Sequence, residues 1–132
     1  MMVVEPMINF RQFEAGPDPF GRKFQVCLKW LQTAISTRHA DTVDVKFVLV
    51  DDTGERTEKT IALPHADLLR VSRETGRSMD DPWCSRIAAR HLCYLVETGE
   101  DMEKDLVTVP PADLQRHASE IASVQESEVG AR

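Results

Sequence analysis

Asp81–Gly99, DPWCSRIAARHLCYLVETG, decides the fold, because it reads as a helix that is apolar on most of its sides. Asp81 can accept a hydrogen bond from a first-turn amide as N-cap, with Ser78 an alternative one turn earlier, and Pro82 suits the first helical position. Gly99 suits the left-handed residue that closes a helix. At about 100° per residue, Arg86, Arg90 and Glu97 share one narrow sector, while Trp83, Cys84, Ile87, Ala88, Ala89, Leu92, Tyr94, Leu95 and Val96 fill most of the remainder. A helix of this kind has to be covered by other elements. Each large apolar side chain it buries contributes about 1.5–3 kcal/mol, so the segment from about 82 to 98 is expected to supply much of the core. His91 falls inside the apolar sector and is expected as a hydrogen-bonded core residue rather than a ligand.

Upstream, Thr42–Val50 (TVDVKFVLV) is rich in β-branched residues and sets Val43, Val45, Phe47 and Leu49 on one face. Val48 and Val50 make the second face apolar as well, which predicts a strand covered on both sides over its second half. Asp51-Asp52-Thr53-Gly54 is turn chemistry, and Arg56–Leu63 returns as the next strand. The segment 24–36 satisfies two periods. Phe24, Val26, Leu28 and Trp30 alternate as a strand, whereas Phe24, Cys27, Leu28, Leu31 and Ile35 match a helical stripe. The strand is favoured, because Gly21 would weaken a helix entering there and strands follow at short spacing. Residues 7–13 (MINFRQF) predict a short first strand, and EAGPDPFG after it a loop.

Ile61–Arg70 and Val107–Arg116 agree at Pro, Ala, Asp, Leu and Arg, five identities in ten, and both read as a strand end passing through proline into a helix. The surroundings do not repeat, so shared turn mechanics explains the likeness better than a duplicated functional motif. The two helices are expected at 65–75, closed by Gly76, and at about 112–125, with Leu114, Ala118, Ile121 and Val124 along one side. The whole is an α+β fold: an antiparallel β-meander of three to four strands packed against the buried helix, with flanking helices. At 132 residues and 42% hydrophobic, residues 1–132 suit a single globular domain, with frayed ends at 1–6 and 126–132.

Several function classes lose support at this level. No apolar run is long enough to cross a bilayer and no signal-peptide pattern opens the chain, which predicts a soluble, cytoplasmic protein with no membrane partner. Three cysteines, Cys27, Cys84 and Cys93, form neither an even framework nor a C-x-x-C pair, so no disulfide and no metal site is expected. Residues 1–96 carry 13 basic and 13 acidic side chains, while 97–132 carry 3 and 9, so the net charge of −6 resides in the last quarter. That distribution opposes nucleic-acid binding. Phosphate-loop, dinucleotide, nucleophile-elbow and zinc-protease motifs are absent, and no cofactor is predicted.

Three polar clusters remain. His39 and Asp41, two residues apart on a turn, are the catalytic candidates, an imidazole and its orienting carboxylate, with Arg38 beside them to bind an anion. Arg70, Arg73 and Arg77 together with Arg86 and Arg90 form a second anion-binding candidate, although Asp67, Glu74, Asp80 and Asp81 lie among them and mutual pairing is the simpler account. Glu97, Glu100 and Asp101, followed by Glu103 and Asp105, stand at the negative end of the helix dipole, which costs about 0.3–1 kcal/mol per charge unless a cation or hydration compensates. The expectation is therefore a non-enzymatic protein-binding or structural module, meeting a protein partner or a second copy of itself through the acidic region or a sheet edge. An enzyme or small-anion-binding protein built on His39, Asp41 and nearby arginines is the alternative.

Overall fold

The computed structural model describes residues 11–34 and 41–130, and for residue 34 and residues 124–130 the backbone alone. Four strands form the meander: β1 (Gln12–Ala15), β2 (Phe24–Ala34), β3 (Thr42–Val50) and β4 (Arg56–Pro64), each antiparallel to the next. The helices α1 (His65–Thr75) and α2 (Asp81–Thr98) follow, then a short strand β5 (Leu106–Thr108) and a final helix α3 (Pro111–Gly130). The sheet order is β1-β2-β3-β4-β5, and β5 runs parallel to β4, a pairing that needs a long crossover connection, which α1 and α2 supply.

The α+β expectation holds, with a meander of four strands and a fifth, parallel strand beyond it. Segment 24–34 is a strand, but its alternation breaks. Leu28 pairs with Phe47 and Trp30 with Lys46, so Lys29 is an extra residue, a β-bulge. The bulge exchanges the faces: Leu31 now opposes the buried Val45, and Trp30 leaves the side shared by Phe24 and Val26 for the opposite one. Simple alternation places Trp30 in the core, and one inserted residue moves it out.

All three helices occupy the face presented by Val43, Val45, Phe47, Ile61 and Leu63. α2 packs on β1, β3 and β4, and α3 packs on α1 and α2. Among the described residues no helix covers the opposite face, so the layer that Val48 and Val50 predicted there is not found; Val48 itself is buried and Val50 half-buried. α2 matches its expected span and is closed by Gly99 in the left-handed region (φ 75°). Its N-cap lies one residue earlier than expected. The Asp80 carboxylate accepts from the Trp83 amide at 3.0 Å, since a capping side chain reaches three residues ahead, and Pro82 occupies the second position, where its missing N–H is equally harmless.

The two proline junctions lie side by side in the sheet. Ile61 pairs with Val107 and Ala62 with Thr108, and the Val109 amide donates to the Ala62 carbonyl at 3.0 Å. Equivalent residues do equivalent work: Leu68 and Leu114 are both fully buried, and Asp67–Arg70 and Asp113–Arg116 are both one-turn ion pairs, at 3.8 and 3.0 Å. The resemblance is that of two βα units packed in register.

Candidate functional site

Of the sequence-predicted catalytic residues, His39 and its neighbour Arg38 lie outside the described residues. Asp41 stands at the entry to β3, where its carbonyl accepts from the His65 amide at 2.9 Å and ties the meander to the start of α1. Two of the arginines are engaged with carboxylates. Arg70 meets Asp67 at 3.8 Å, Glu74 at 3.6 Å and Gln115 at 2.9 Å, and Arg90 meets Glu120 at 3.1 Å. Arg86 is half-buried on the same stripe of α2 as Arg90.

The acidic turn after α2 has a cation at its centre, and the sequence reading missed it. Lys59, only 5% exposed, extends its ammonium from the core face of β4 into the turn and donates to the carbonyls of Asp101 (3.2 Å), Met102 (3.3 Å) and Lys104. Asp101 takes a left-handed conformation (φ 54°), which helps the turn direct these carbonyls inward. Burial lowers the pKa of Lys59, while Asp105, Glu103 and Asp101 oppose that shift. Around this centre Asp101 pairs with Lys104 at 3.3 Å, and the Tyr94 hydroxyl donates to Glu100 at 2.8 Å. Glu97 is exposed on the last turn of α2. Part of the compensation that the dipole argument required is thus internal, from Lys59 and from the Asp101–Lys104 pair. Period-2 phasing from Ile61 and Leu63 already places Lys59 on the core side, and that was the available signal.

The open face of the sheet carries a groove of about 530 Å³ lined by Trp30, Asp44, Lys46, Thr57, Glu58, Thr60, Asp105 and Leu106. The bulge puts Trp30 there. Lys46 lies 5.4 Å from its ring centroid and pairs with Glu58 at 3.2 Å, and Lys29 reaches Glu58 from β2 at 2.8 Å. Asp44 accepts from the Thr42 hydroxyl at 2.8 Å. At the outer end Leu106 is 57% exposed. The pairing of β5 has a further consequence. Thr60 donates to the Asp105 carbonyl and Ala62 accepts from the Val109 amide, so the groups facing β4 belong to Asp105, Val107 and Val109. The N–H and C=O groups of Leu106 and Thr108 therefore point away from the sheet, along its edge.

A third constellation is buried between α2 and α3. His91 Nδ1 and His117 Nε2 are 3.1 Å apart, with the residues 2% and 3% exposed. Tyr94 stacks on His91 with centroids 5.7 Å apart, and Arg116 covers Tyr94. The Glu120 carboxylate lies 3.9 Å from His117 Nδ1, too far for a hydrogen bond but near enough to favour a proton on that nitrogen. In that tautomer His91 Nδ1–H donates to His117 Nε2, and in the other the roles reverse. Burial first, then His91 and Arg116, lowers His117 to about 4, and burial also lowers His91, so both rings are neutral near pH 7. His91 is the hydrogen-bonded core histidine that its position predicted. His117 went unnoticed in the sequence, although it lies three residues after Leu114 and four before Ile121, on the buried stripe of α3.

The described residues offer no cluster of three or more metal-ligating side chains and no helix long and apolar enough to cross a membrane. Comparison with protein-family models, curated proteins and solved structures finds no match to this chain. The class is defined by the fold, an α+β domain with helices on one face of a mainly antiparallel sheet. Among the described residues its open face carries an acidic, partly apolar groove that reaches a strand edge with no neighbouring strand.

Proposed function

We propose that the protein is a non-catalytic binding module that receives an extended segment of a partner polypeptide along the free edge of β5. The observation that carries this reading is the outward-pointing backbone of Leu106 and Thr108 beside the groove. Main-chain hydrogen bonds to such an edge supply affinity, and alternate side chains of the added strand supply specificity. Those side chains would meet the exposed Leu106 and, further in, Trp30. Glu58 is met by both Lys29 and Lys46, whereas Asp44 and Asp105 add carboxylates to the groove without a lysine or arginine ion pair of their own among the described residues, so it suits a segment with an apolar residue and a nearby Lys or Arg. A second copy of the chain suits it less well, since the net charge is −6 and self-association would bring acidic grooves together. The anion-binding alternative is weakened by the engagement of Arg70 and Arg90 with carboxylates.

The test is a selection of random peptides on the folded protein at pH 7.5, with the selected binders measured against two variants. Thr108→Pro removes an N–H that points outward and is not used by β4, so the sheet should tolerate it while the partner strand loses a donor. Leu106→Asp places a charge on the apolar anchor. Both should weaken binding at least about tenfold, the equivalent of about 1.4 kcal/mol. Selected peptides that bind both variants with unchanged affinity would overturn the proposal.

A further inference from the structure

The His91–His117 contact has no role in the groove, yet it joins the helix that continues directly from β5. Only Val109 and Pro110 separate Thr108 from the start of α3, and Val109 is itself hydrogen-bonded to Ala62, so the position of α3 and the placement of the edge strand are mechanically linked. Where α3 crosses α2, two polar contacts of 3.1 Å join the helices among the described residues, the half-exposed Arg90–Glu120 ion pair and a pair of enclosed imidazoles.

That pair has a limited capacity for protons. In either neutral arrangement one proton occupies the 3.1 Å contact, donated by one ring and accepted by the other. When both rings are protonated, two N–H groups and two positive charges face one another across the same gap, and the contact cannot persist. The surrounding charges are mixed. On α2, Arg90 and Tyr94 flank the pair, with Tyr94 committed to Glu100. On α3, Asp113 and Arg116 are paired with each other, and Glu120 is shared between Arg90 and the outer nitrogen of His117. The turn after α2 contributes Glu100 and Asp101 at longer range. From α1, Arg70 and Glu74 meet α3 at Gln115, about 200° around the helix from His117. Among the described residues no carboxylate lies within hydrogen-bonding distance of either ring, Glu120 being 3.9 Å from His117 Nδ1, so a second proton finds no hydrogen-bonding carboxylate there in the docked state. A shared metal ion is not a competing account, because Glu120 faces the nitrogen of His117 opposite the one that meets His91, and the three cannot bind one ion.

We propose that the His91–His117 pair is an acid-released latch: it holds α3 against α2 while both rings are not charged, and acidification frees α3 and with it the β5 edge. The latch concerns regulation of the docking edge and rests on that reading for its purpose, although its mechanics can be tested without a ligand. Enclosure holds both rings below the ordinary histidine value, so the undocked state binds more protons as pH falls below about 6.5. Each proton taken up on release shifts the docked-to-undocked ratio by up to about tenfold per pH unit.

The experiment is amide hydrogen exchange of the full chain without peptide between pH 7 and 4.5, corrected for intrinsic rates. The wild type is compared with His117→Leu, which places an aliphatic residue where the parallel unit has Val71, and with His91→Gln, which keeps a hydrogen-bonding side chain. Protection in α3 and β5 should fall by at least about tenfold in the wild type. Protection in β2 and β3 should persist, and both variants should lose most of the pH dependence. Equal pH dependence in wild type and variants, or protection lost evenly over the whole sheet, would overturn the latch. If only one variant folds, that variant still decides between these results. The Thr108→Pro measurement at pH 7.5 tests the docking edge with the latch closed, so failure of either idea is visible separately.

Discussion

Replacing Lys59 with Met is the most informative single perturbation of this fold. The two side chains have similar lengths, so the packing along β4 is retained and only the ammonium disappears. It leaves behind three carbonyls, of Asp101, Met102 and Lys104, that turn inward toward it. Hydrogen bonds to a charged donor are each worth about 1.5–3 kcal/mol, and an orphaned carbonyl costs about 1–3 kcal/mol when buried. Two effects reduce the total: Glu103 and Lys104 are exposed, so water can reach part of the turn, and the desolvation cost of the ammonium is recovered. The net loss should be about 2–4 kcal/mol, measured by urea denaturation at pH 7, with a fall in Tm of roughly 10 °C. The Thr60 amide, which donates to Asp105 at 2.7 Å, should lose protection with it. Lys104→Met is the control. It removes the same charge from an exposed pair with Asp101 and should cost under about 1 kcal/mol. A Lys59→Met protein within about 1 kcal/mol of wild type would show that the turn is held by its backbone alone and that the ammonium is dispensable.

Asp80→Ala removes the carboxylate that caps α2 at the Trp83 amide and should destabilise the protein by about 1 kcal/mol in the same assay, whereas Asp81→Ala should have the smaller effect. Alkylation at pH 8 should modify the exposed Cys27 first, because burial raises both Cys84 and Cys93 to about 12 and leaves almost no thiolate; mass spectrometry of the labelled peptides gives the order directly.

The sequence made α2 legible because two independent signals agreed, a cap with proline at one end and glycine at the other, around a stripe too wide for any surface helix. β3 and β4 were equally clear, since β-branched alternation flanks a turn whose Asp51 carboxylate accepts from the amides of Thr53 and Glu55. The placement of Trp30 was not legible, because a bulge is decided by pairing with β3 and leaves no mark on the alternation of β2 itself. The direction of β5 escaped for a related reason: Leu106–Thr108 is too short to show a period, and its pairing is with a strand more than forty residues away, across α1 and α2. The site residues divide in the same way. Glu97, Glu100 and Asp101 stood out as an excess of charge, but the compensating Lys59 lies some forty residues upstream and is joined to them only by the fold. His91 was visible on its helix, whereas its partner comes from a different helix that the sequence could not orient.

The parallel pairing of β4 with β5 also carries a kinetic consequence. Neighbouring strands of the meander are close in sequence, but Thr60 cannot meet Leu106 until the intervening chain, with both helices, has been gathered in. The entropy of closing that long loop has to be overcome before the pairing returns any hydrogen bonds, so β5 and α3 should join last, onto a platform of β2–β4 and α2 that is already assembled. The same order in reverse makes them the first elements to leave. A refolding experiment should therefore find the amides of Val45 and Phe47 protected before that of Val107, and the outer edge of the sheet should be the last part of the molecule to become structured.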